Sequence, residues 1–189
     1  MLRTFCLTLL LSLGLVANAQ DTVNNPQVMI KTSEGDITLQ LFADKAPVTV
    51  ENFLGYVDSG FYEGTIFHRV IADFMIQGGG FLPDMTQKTT GEPIVNESKN
   101  RLHNTRGTIA MARTGDPDSA TSQFFINQRS NLRLDWAPRQ PGYTVFGEVI
   151  LGMDVVDFIA TAPTGKKGRW RDVPEEPILI KEIVRVTQP

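Results

Sequence analysis

Short apolar runs separated by turn residues dominate the chain. Residues 27–32 and 36–42 are rich in β-branched and apolar side chains, and Ser33, Glu34 and Gly35 between them predict a hairpin. Similar runs predict further strands at 65–71, 74–78, 94–97, 107–112, 123–127, 144–149 and 178–186. Residues 164–177, which include Trp170, show no periodicity and are predicted to form a surface loop.

Two segments have helical rather than strand periodicity. The first begins at Pro47 and ends before Gly60, and its apolar residues recur at the spacing of one helix face: Val50, Phe53, Leu54 and Val57. The second fits 152–160, with Val155, Phe158 and Ile159 on one side. Many short strands with two helices predict a mainly β fold, a closed barrel capped by the helices.

The first nineteen residues have the pattern of a secretory signal peptide. Arg3 supplies the positive charge, residues 5–16 are apolar, and Ala17, Asn18 and Ala19 are small residues at the cleavage positions. The apolar run is too short for a membrane span. We therefore predict a signal peptide at 1–19, a flexible lead at 20–26, one domain at 27–187 and no membrane anchor after cleavage.

Composition limits what the exported chain can do. Removing residues 1–19 from the 189-residue chain leaves 170 residues, enough for one domain with its own core. The only cysteine, Cys6, leaves with the leader, so packing rather than disulfides must stabilise the fold. Arg3 leaves too, and 17 basic residues then face 21 acidic ones, a net charge of −4. This mild acidity disfavours nucleic-acid binding.

Residues 65–80 carry the most informative chemistry. Arg69 lies in an apolar strand-like run and is followed by Phe74, Met75 and Gln77. A guanidinium is costly to bury without an acceptor, so the segment indicates an apolar pocket with one strong donor for a carbonyl-rich ligand. The alternative is a core strand whose arginine extends to solvent.

Alternation along two strands separates an apolar face from a mixed face. The apolar faces suit a barrel interior and consist of Phe74 and Ile76 in one strand and Phe124 and Ile126 in the other. The mixed faces suit an outer groove and consist of Met75, Gln77, Gln123, Phe125 and Asn127. Glutamine amides both donate and accept, so this groove could bind a peptide backbone. Two ordinary edge strands with solvent-facing glutamines are the alternative.

Other chemistries find little support in the sequence. The two histidines, His68 and His103, do not have the spacing of a metal motif, and alternation sets His68 on the strand face opposite Arg69. No serine lies in a Gly-x-Ser-x-Gly turn, and no phosphate-binding glycine pattern opens a helix. We therefore predict neither a hydrolase nor a nucleotide enzyme, and no metal or cofactor.

Several long motifs together carry a family resemblance. Phe-His-Arg-Val at 67–70 and Phe-Met-Ile-Gln-Gly-Gly at 74–79, with residues 106–113, 119–127 and 145–149, resemble the signatures of cyclophilin-type peptidyl-prolyl cis-trans isomerases. The resemblance extends from about 27 to 186 and implies a closed eight-stranded antiparallel β-barrel capped by two α-helices. With the leader, the chain is most similar to the periplasmic cyclophilins of Gram-negative bacteria, which implies a periplasmic location.

The resemblance assigns roles to individual residues. It makes Arg69 the catalytic residue, and it implies a substrate-binding set formed by Phe74, Met75, Gln77, Ala112, Arg113, Gln123, Phe125, Leu134 and Tyr143. Phe74, Met75, Phe125 and Leu134 match the walls of the proline pocket, and Gln77 matches the residue that binds the substrate backbone. Ala112 and Arg113 match the segment that pairs with the peptide, and Gln123 the adjoining subsite. Tyr143 stands where many eukaryotic members have histidine.

One departure from the family pattern affects ligand binding. Arg133 stands where the family usually has tryptophan or phenylalanine, an aromatic residue that supports binding of the inhibitor cyclosporin. The resemblance therefore implies weak cyclosporin binding. Trp136, three residues further on, is a candidate to fold back and replace the missing ring.

The implied function is isomerisation of X–Pro bonds by a non-covalent mechanism. Rotation about the peptide bond needs no nucleophile and no proton transfer. The implied partners are proline-containing unfolded or partly folded polypeptides, and the implied state is a monomer. The alternative is a chaperone that holds proline-containing segments with little turnover.

Overall fold

The computed structural model describes residues 25–186. The predicted signal peptide and most of the predicted lead lie outside the described residues, as do residues 187–189. No helix within 25–186 is long and apolar enough to cross a membrane.

The described chain contains ten strands and two α-helices. The strands are β1 (Gln27–Thr32), β2 (Asp36–Leu41), β3 (Thr65–Ile71), β4 (Met75–Gly78), β5 (Thr108–Met111), β6 (Phe124–Asn127), β7 (Val145–Leu151), β8 (Thr164–Lys167), β9 (Trp170–Pro174) and β10 (Leu179–Val186). The helices are α1 (Pro47–Asp58) and α2 (Met153–Ala160). A short 3₁₀ turn, Leu132–Leu134, precedes β7.

Eight strands close into an antiparallel barrel. Their order is β1-β10-β3-β4-β6-β5-β7-β2, and β2 pairs back onto β1. This confirms the predicted fold, a closed eight-stranded antiparallel β-barrel with two α-helices. Closure matters because it leaves no free sheet edge among these strands.

The barrel interior is filled by the apolar faces of the strands. Ile76, Phe124 and Ile126 are fully buried there, as alternation predicted for them. Phe53 of α1 packs on this core, with its ring 5.7 Å from that of Phe124 and 5.2 Å from that of Phe146. Burying one such side chain contributes about 1.5–3 kcal/mol, so this apolar face helps to hold the helix on the barrel.

Residues 94–97 do not form the predicted strand. Ile94 makes a single bridge with Ala120, after which the Asn96 side chain accepts a hydrogen bond from the Ser98 amide at 2.8 Å and turns the chain. The Glu97 carboxylate then accepts hydrogen bonds from the first turn of α1, including the amide of residue 49 at 2.8 Å. Side-chain bonding to the backbone has replaced strand pairing here.

Residues 164–177 were predicted to form a surface loop, but part of this segment forms two paired strands. β8 and β9 form a separate two-stranded hairpin, in which Lys167 lies opposite Trp170, and β9 contacts β3 of the barrel. Gly168 and Asp172 have left-handed backbones, with φ of 59° and 60°. The hairpin lacks apolar alternation because most of β8 is exposed, and so periodicity could not reveal it.

Candidate active site

Adjacent barrel strands place a cation, an amide and a ring in one row on the outer surface. The register of β3 and β4 sets Arg69 opposite Gln77, and that of β4 and β6 sets Gln77 opposite Phe125. Phe125 in turn lies opposite Ala110 of β5. Directly opposed residues point to the same face of a sheet, so the row is a continuous surface.

A pocket of about 150 Å³ lies beside this row. Its floor is apolar: Met75 and Phe125 are buried, and partly buried side chains including Leu134 and Tyr143 pack against them. Nine of the ten predicted site residues line it, namely Arg69, Phe74, Met75, Gln77, Ala112, Arg113, Phe125, Leu134 and Tyr143. The pocket is therefore apolar inside and polar at its mouth.

The tenth predicted residue, Gln123, lines an adjoining cavity of about 450 Å³. Arg69 and Gln77 border both cavities. The Gln77 amide nitrogen donates to the Gln123 amide oxygen at 3.1 Å. The two cavities thus share a border that includes Arg69, Gln77, Ala112 and Arg113, where a bound chain could continue from one into the other.

Phe74 lies on the pocket side and not in the barrel interior, where alternation had placed it. The strand begins only at Met75, and the preceding Asp73 has a left-handed backbone with φ of 56°. Phe74 therefore belongs to the turn, and the strand's alternation does not extend to it. It packs in the cluster of Met75, Phe125 and Leu134.

Asn127 is excluded from the outer groove, in contrast to the predicted mixed face. Its amide is fully buried and donates to the Thr108 hydroxyl at 2.9 Å and to the Asn104 side chain at 3.2 Å. Asn131 donates to the Asn127 oxygen at 2.8 Å. The loops that carry Asn104 and Asn131 cover this end of β6, so Asn127 holds loops together instead of facing a ligand.

Arg113 is held rigidly in the pocket wall. Its Nε donates to the carbonyl of Gly142 at 3.2 Å, and a terminal nitrogen donates to the carbonyl of Pro141 at 2.6 Å. The guanidinium also lies over the Tyr143 ring, 4.4 Å from its centroid, and that ring meets the edge of Phe125 at 5.6 Å. These contacts give Arg113 the role of a fixed wall.

Arg133 packs on the pocket wall without lining the pocket. Its guanidinium lies 4.8 Å from the centroid of the Phe74 ring. Trp136 is 42% exposed, lies beneath the Lys99 ammonium at 5.8 Å and is not part of the pocket wall. The hypothesis that Trp136 folds back to replace the missing aromatic ring is therefore wrong.

Arg69 is half-buried between the cavities and has an acidic neighbour that sequence reasoning missed. The Asp172 carboxylate of β9 lies 3.5 Å from its Nε, and both side chains are 41% exposed. Among residues 25–186, Asp172 is the only carboxylate within 4 Å of this guanidinium. It lies in the segment predicted to be a loop, where no motif or periodicity marked it.

His68 faces the larger cavity together with Arg69, although alternation placed the two on opposite sides. A β-bulge between Phe67 and Arg69 breaks the alternation. The imidazole is 4% exposed and packs on Phe81 at 4.6 Å. Burial, with a smaller contribution from the charge of Arg69, lowers the pKa of His68 to about 4, so the ring is neutral at pH 7.

The arrangement suits an apolar ring that is attached to a peptide group. The ring would fill the apolar pocket, while Arg69 and Gln77 offer donors at its mouth. Within residues 25–186, no three histidine, cysteine, aspartate or glutamate side chains are grouped as a metal site.

Comparison with known proteins identifies the family. Residues 27–185 match the model of the family described as cyclophilin type peptidyl-prolyl cis-trans isomerase/CLD. The chain belongs to the cyclophilin-type peptidyl-prolyl cis-trans isomerases. A peptidyl-prolyl cis-trans isomerase of Acinetobacter baylyi is 53% identical over 167 residues, 88% of each chain. Peptidyl-prolyl cis-trans isomerase B of Escherichia coli is 55% identical over 159 residues, 82% of this chain and 97% of its own.

Solved cyclophilin structures share the fold. A cyclophilin-type isomerase of Cryptosporidium parvum is 33% identical, with a TM-score of 0.76 over 87% of this chain and 99% of its own. A structure of that protein in the presence of the dipeptide Ala-Pro has a TM-score of 0.75, also at 33% identity, and covers 86% and 99%. The predicted resemblance to the cyclophilins and the predicted isomerase activity are confirmed.

The burial of His68 predicts a pH dependence of stability. The folded state lowers its pKa to about 4 from an ordinary 6.5, so between these values the unfolded chain takes up a proton that the folded protein does not. The free energy of unfolding should fall by up to about 3 kcal/mol as pH drops through this window. Urea denaturation at pH 7 to 4 measures this loss.

In His68→Gln, the free energy of unfolding should no longer show this loss between pH 6.5 and about 4. His103 is exposed, and His103→Gln should retain the loss. Equal slopes for the wild type and His68→Gln would contradict the assignment.

Proposed function

We propose that the protein accelerates rotation about X–Pro bonds in exported polypeptides and thereby assists their folding. The observation that carries the proposal is the Arg69 guanidinium at the mouth of a pocket walled by Phe74, Met75 and Phe125. The substrates are proline-containing unfolded or partly folded chains, and the protein acts as a monomer.

The free-energy barrier to rotation about the X–Pro bond determines how much transition-state stabilisation the site must provide. Twisting a peptide bond loses its resonance, at a cost of about 18–20 kcal/mol. Free X–Pro bonds isomerise in about 10–100 s. An enzyme working at about 10²–10³ s⁻¹ must therefore lower the barrier by roughly 4–7 kcal/mol. No covalent intermediate is needed for a change of this size.

Arg69 supplies the charged part of this stabilisation. As the bond twists, the prolyl nitrogen regains a lone pair that can accept a hydrogen bond. A guanidinium donor makes a charge-assisted bond of about 1.5–3 kcal/mol, and it makes this bond only in the twisted state. An interaction that exists only near the transition state raises kcat.

The apolar pocket and Gln77 supply the rest of the transition-state stabilisation. Met75 and Phe125 anchor the proline ring, while the Gln77 amide binds the substrate backbone beside it. Holding the ring still while the preceding carbonyl rotates converts binding energy into orientation. Removing water from around the amide strengthens the bond to Arg69.

Export is supported by the leader sequence. Arg3, the apolar run 5–16 and the small residues Ala17 and Ala19 are those of a cleavable signal peptide. We therefore infer a periplasmic location, where newly exported chains complete proline isomerisation as they fold.

Weak cyclosporin binding follows from the rim of the pocket. Arg133 replaces the aromatic residue of the family pattern, and Trp136 does not take its place. A guanidinium packed on Phe74 presents a hydrated cation instead of an apolar ring to a large apolar ligand.

Arg69→Ala should lower kcat/KM at least tenfold because it removes the donor to the prolyl nitrogen. A protease-coupled assay or NMR exchange on an Ala-Pro peptide measures this rate. Arg185→Ala is the matched control, since Arg185 pairs with Asp58 and takes no part in lining either cavity. A wild type that binds the peptide without accelerating exchange would favour the chaperone alternative, and an unchanged rate in Arg69→Ala would refute the mechanism.

Arg133→Trp should restore strong cyclosporin inhibition while changing turnover of a short Ala-Pro peptide little. Inhibition curves for the two proteins provide the test, with Arg133→Lys as a variant that keeps the charge. Tight inhibition of the unmodified protein would contradict the expectation.

The mature protein should begin at Gln20 and fractionate with the periplasm. Intact-mass measurement of the purified protein and cell fractionation provide the check. Ala19→Arg should block cleavage and leave the leader attached. A cytoplasmic protein that retains residues 1–19 would overturn the proposed location.

A further inference from the structure

The hairpin of β8 and β9 packs against β3, the strand that carries Arg69. Trp170 of β9 meets the Phe81 ring at 4.9 Å, and Phe81 packs on His68 at 4.6 Å. Lys167 of β8 donates to the carbonyl of Pro83 at 2.8 Å. These contacts give the hairpin a defined position relative to β3.

The hairpin presents Asp172 to the catalytic arginine from an unusual backbone conformation. Asp172 has a φ of 60°, which lies in the left-handed backbone region that few residues other than glycine adopt. Aspartate adopts this conformation more readily than most residues, and the packing of the hairpin on Phe81 holds it there. The carboxylate lies 3.5 Å from the Arg69 Nε.

The contact at Nε matters because of how a guanidinium distributes its donors. Arginine has five N–H groups in a planar fork, and only one of them is on Nε. A carboxylate at Nε therefore leaves both terminal nitrogens able to donate to substrate. The long Arg69 side chain remains 41% exposed even with Asp172 beside it, and the ion pair at Nε limits the orientations that it adopts.

We propose that Asp172 is a positioning residue for catalysis, which holds Arg69 by its Nε so that the terminal nitrogens meet the twisting X–Pro bond. This role rests on the proposed function of Arg69. Because the pair is exposed, it contributes little to folding stability. Small displacements of a catalytic group nevertheless cost rate, so the effect of Asp172 belongs in turnover.

Asp172→Asn is the informative variant. Asparagine tolerates the left-handed backbone and has nearly the same shape, but it removes the charge. We expect kcat for an Ala-Pro peptide to fall about three- to tenfold with KM changed less than about twofold, and with an unchanged unfolding transition. Asp172→Gly, which relieves the backbone conformation, should show the same loss.

Two further variants distinguish positioning of Arg69 from a general effect of removing a negative charge from the hairpin. Glu175→Gln removes an equal charge three residues away and should leave kcat unchanged. In an Arg69→Ala background, Asp172→Asn should have no further effect, because a residue that acts through Arg69 has nothing left to position.

The role of Asp172 is overturned if Asp172→Asn leaves kcat unchanged or raises it, or if the loss is equally large in the Arg69→Ala background. If Arg69→Ala by itself still lowers kcat/KM at least tenfold, such results would refute only the positioning role of Asp172. An unchanged rate in Arg69→Ala would refute the mechanism and this role together.

Discussion

The register between β4 and β6 is the constraint on which the site depends. Ile76 lies opposite Ile126 on the interior face, and Gln77 lies opposite Phe125 on the outer face. Because side chains alternate, a slip of one residue would bring the apolar interior residues to the surface and bury the glutamine. Core packing therefore fixes the geometry of the binding surface, and no separate device is needed to align Gln77 with Phe125.

In the proposed mechanism Arg69 is the cation that meets the substrate, and two neighbouring groups are less available for that role. Arg113 is bound by the carbonyls of Pro141 and Gly142, and burial keeps His68 neutral. Arg69 remains half-exposed at the junction of the two cavities. The proposed mechanism requires one well-placed donor and an anchored ring, and β3, β4 and β6 bring Arg69, Met75 and Phe125 to the same pocket.

Sequence reasoning succeeded where side chains follow the period of their element. Ile76, Gln77 and Phe125 lie where alternation placed them, because they occupy the interiors of regular strands. It failed for Phe74 and His68. The left-handed backbone of Asp73 and the bulge between Phe67 and Arg69 interrupt the alternation of side chains there. Neither feature has a reliable mark in a single sequence.

The hairpin of β8 and β9 escaped prediction for a different reason. Exposed two-stranded hairpins bury little apolar surface, so they carry no clear alternation. Its turn and its carboxylate depend on the left-handed backbones of Gly168 and Asp172, and its position on the barrel depends on tertiary contacts such as Trp170 on Phe81. The acidic neighbour of Arg69 could therefore be found only in three dimensions.

Arg133 shows how the rim of the pocket can change while its interior does not. In the proposed function the proline ring occupies the apolar floor of Met75 and Phe125, whereas Arg133 lines neither cavity and stacks on Phe74. A short substrate whose ring enters the pocket therefore encounters the same surface whether residue 133 is aromatic or basic. A large ligand that extends past the rim must instead cover a hydrated guanidinium, and desolvating that charge lowers its affinity. The proposed function therefore predicts that substrate turnover and inhibitor binding are separable at residue 133.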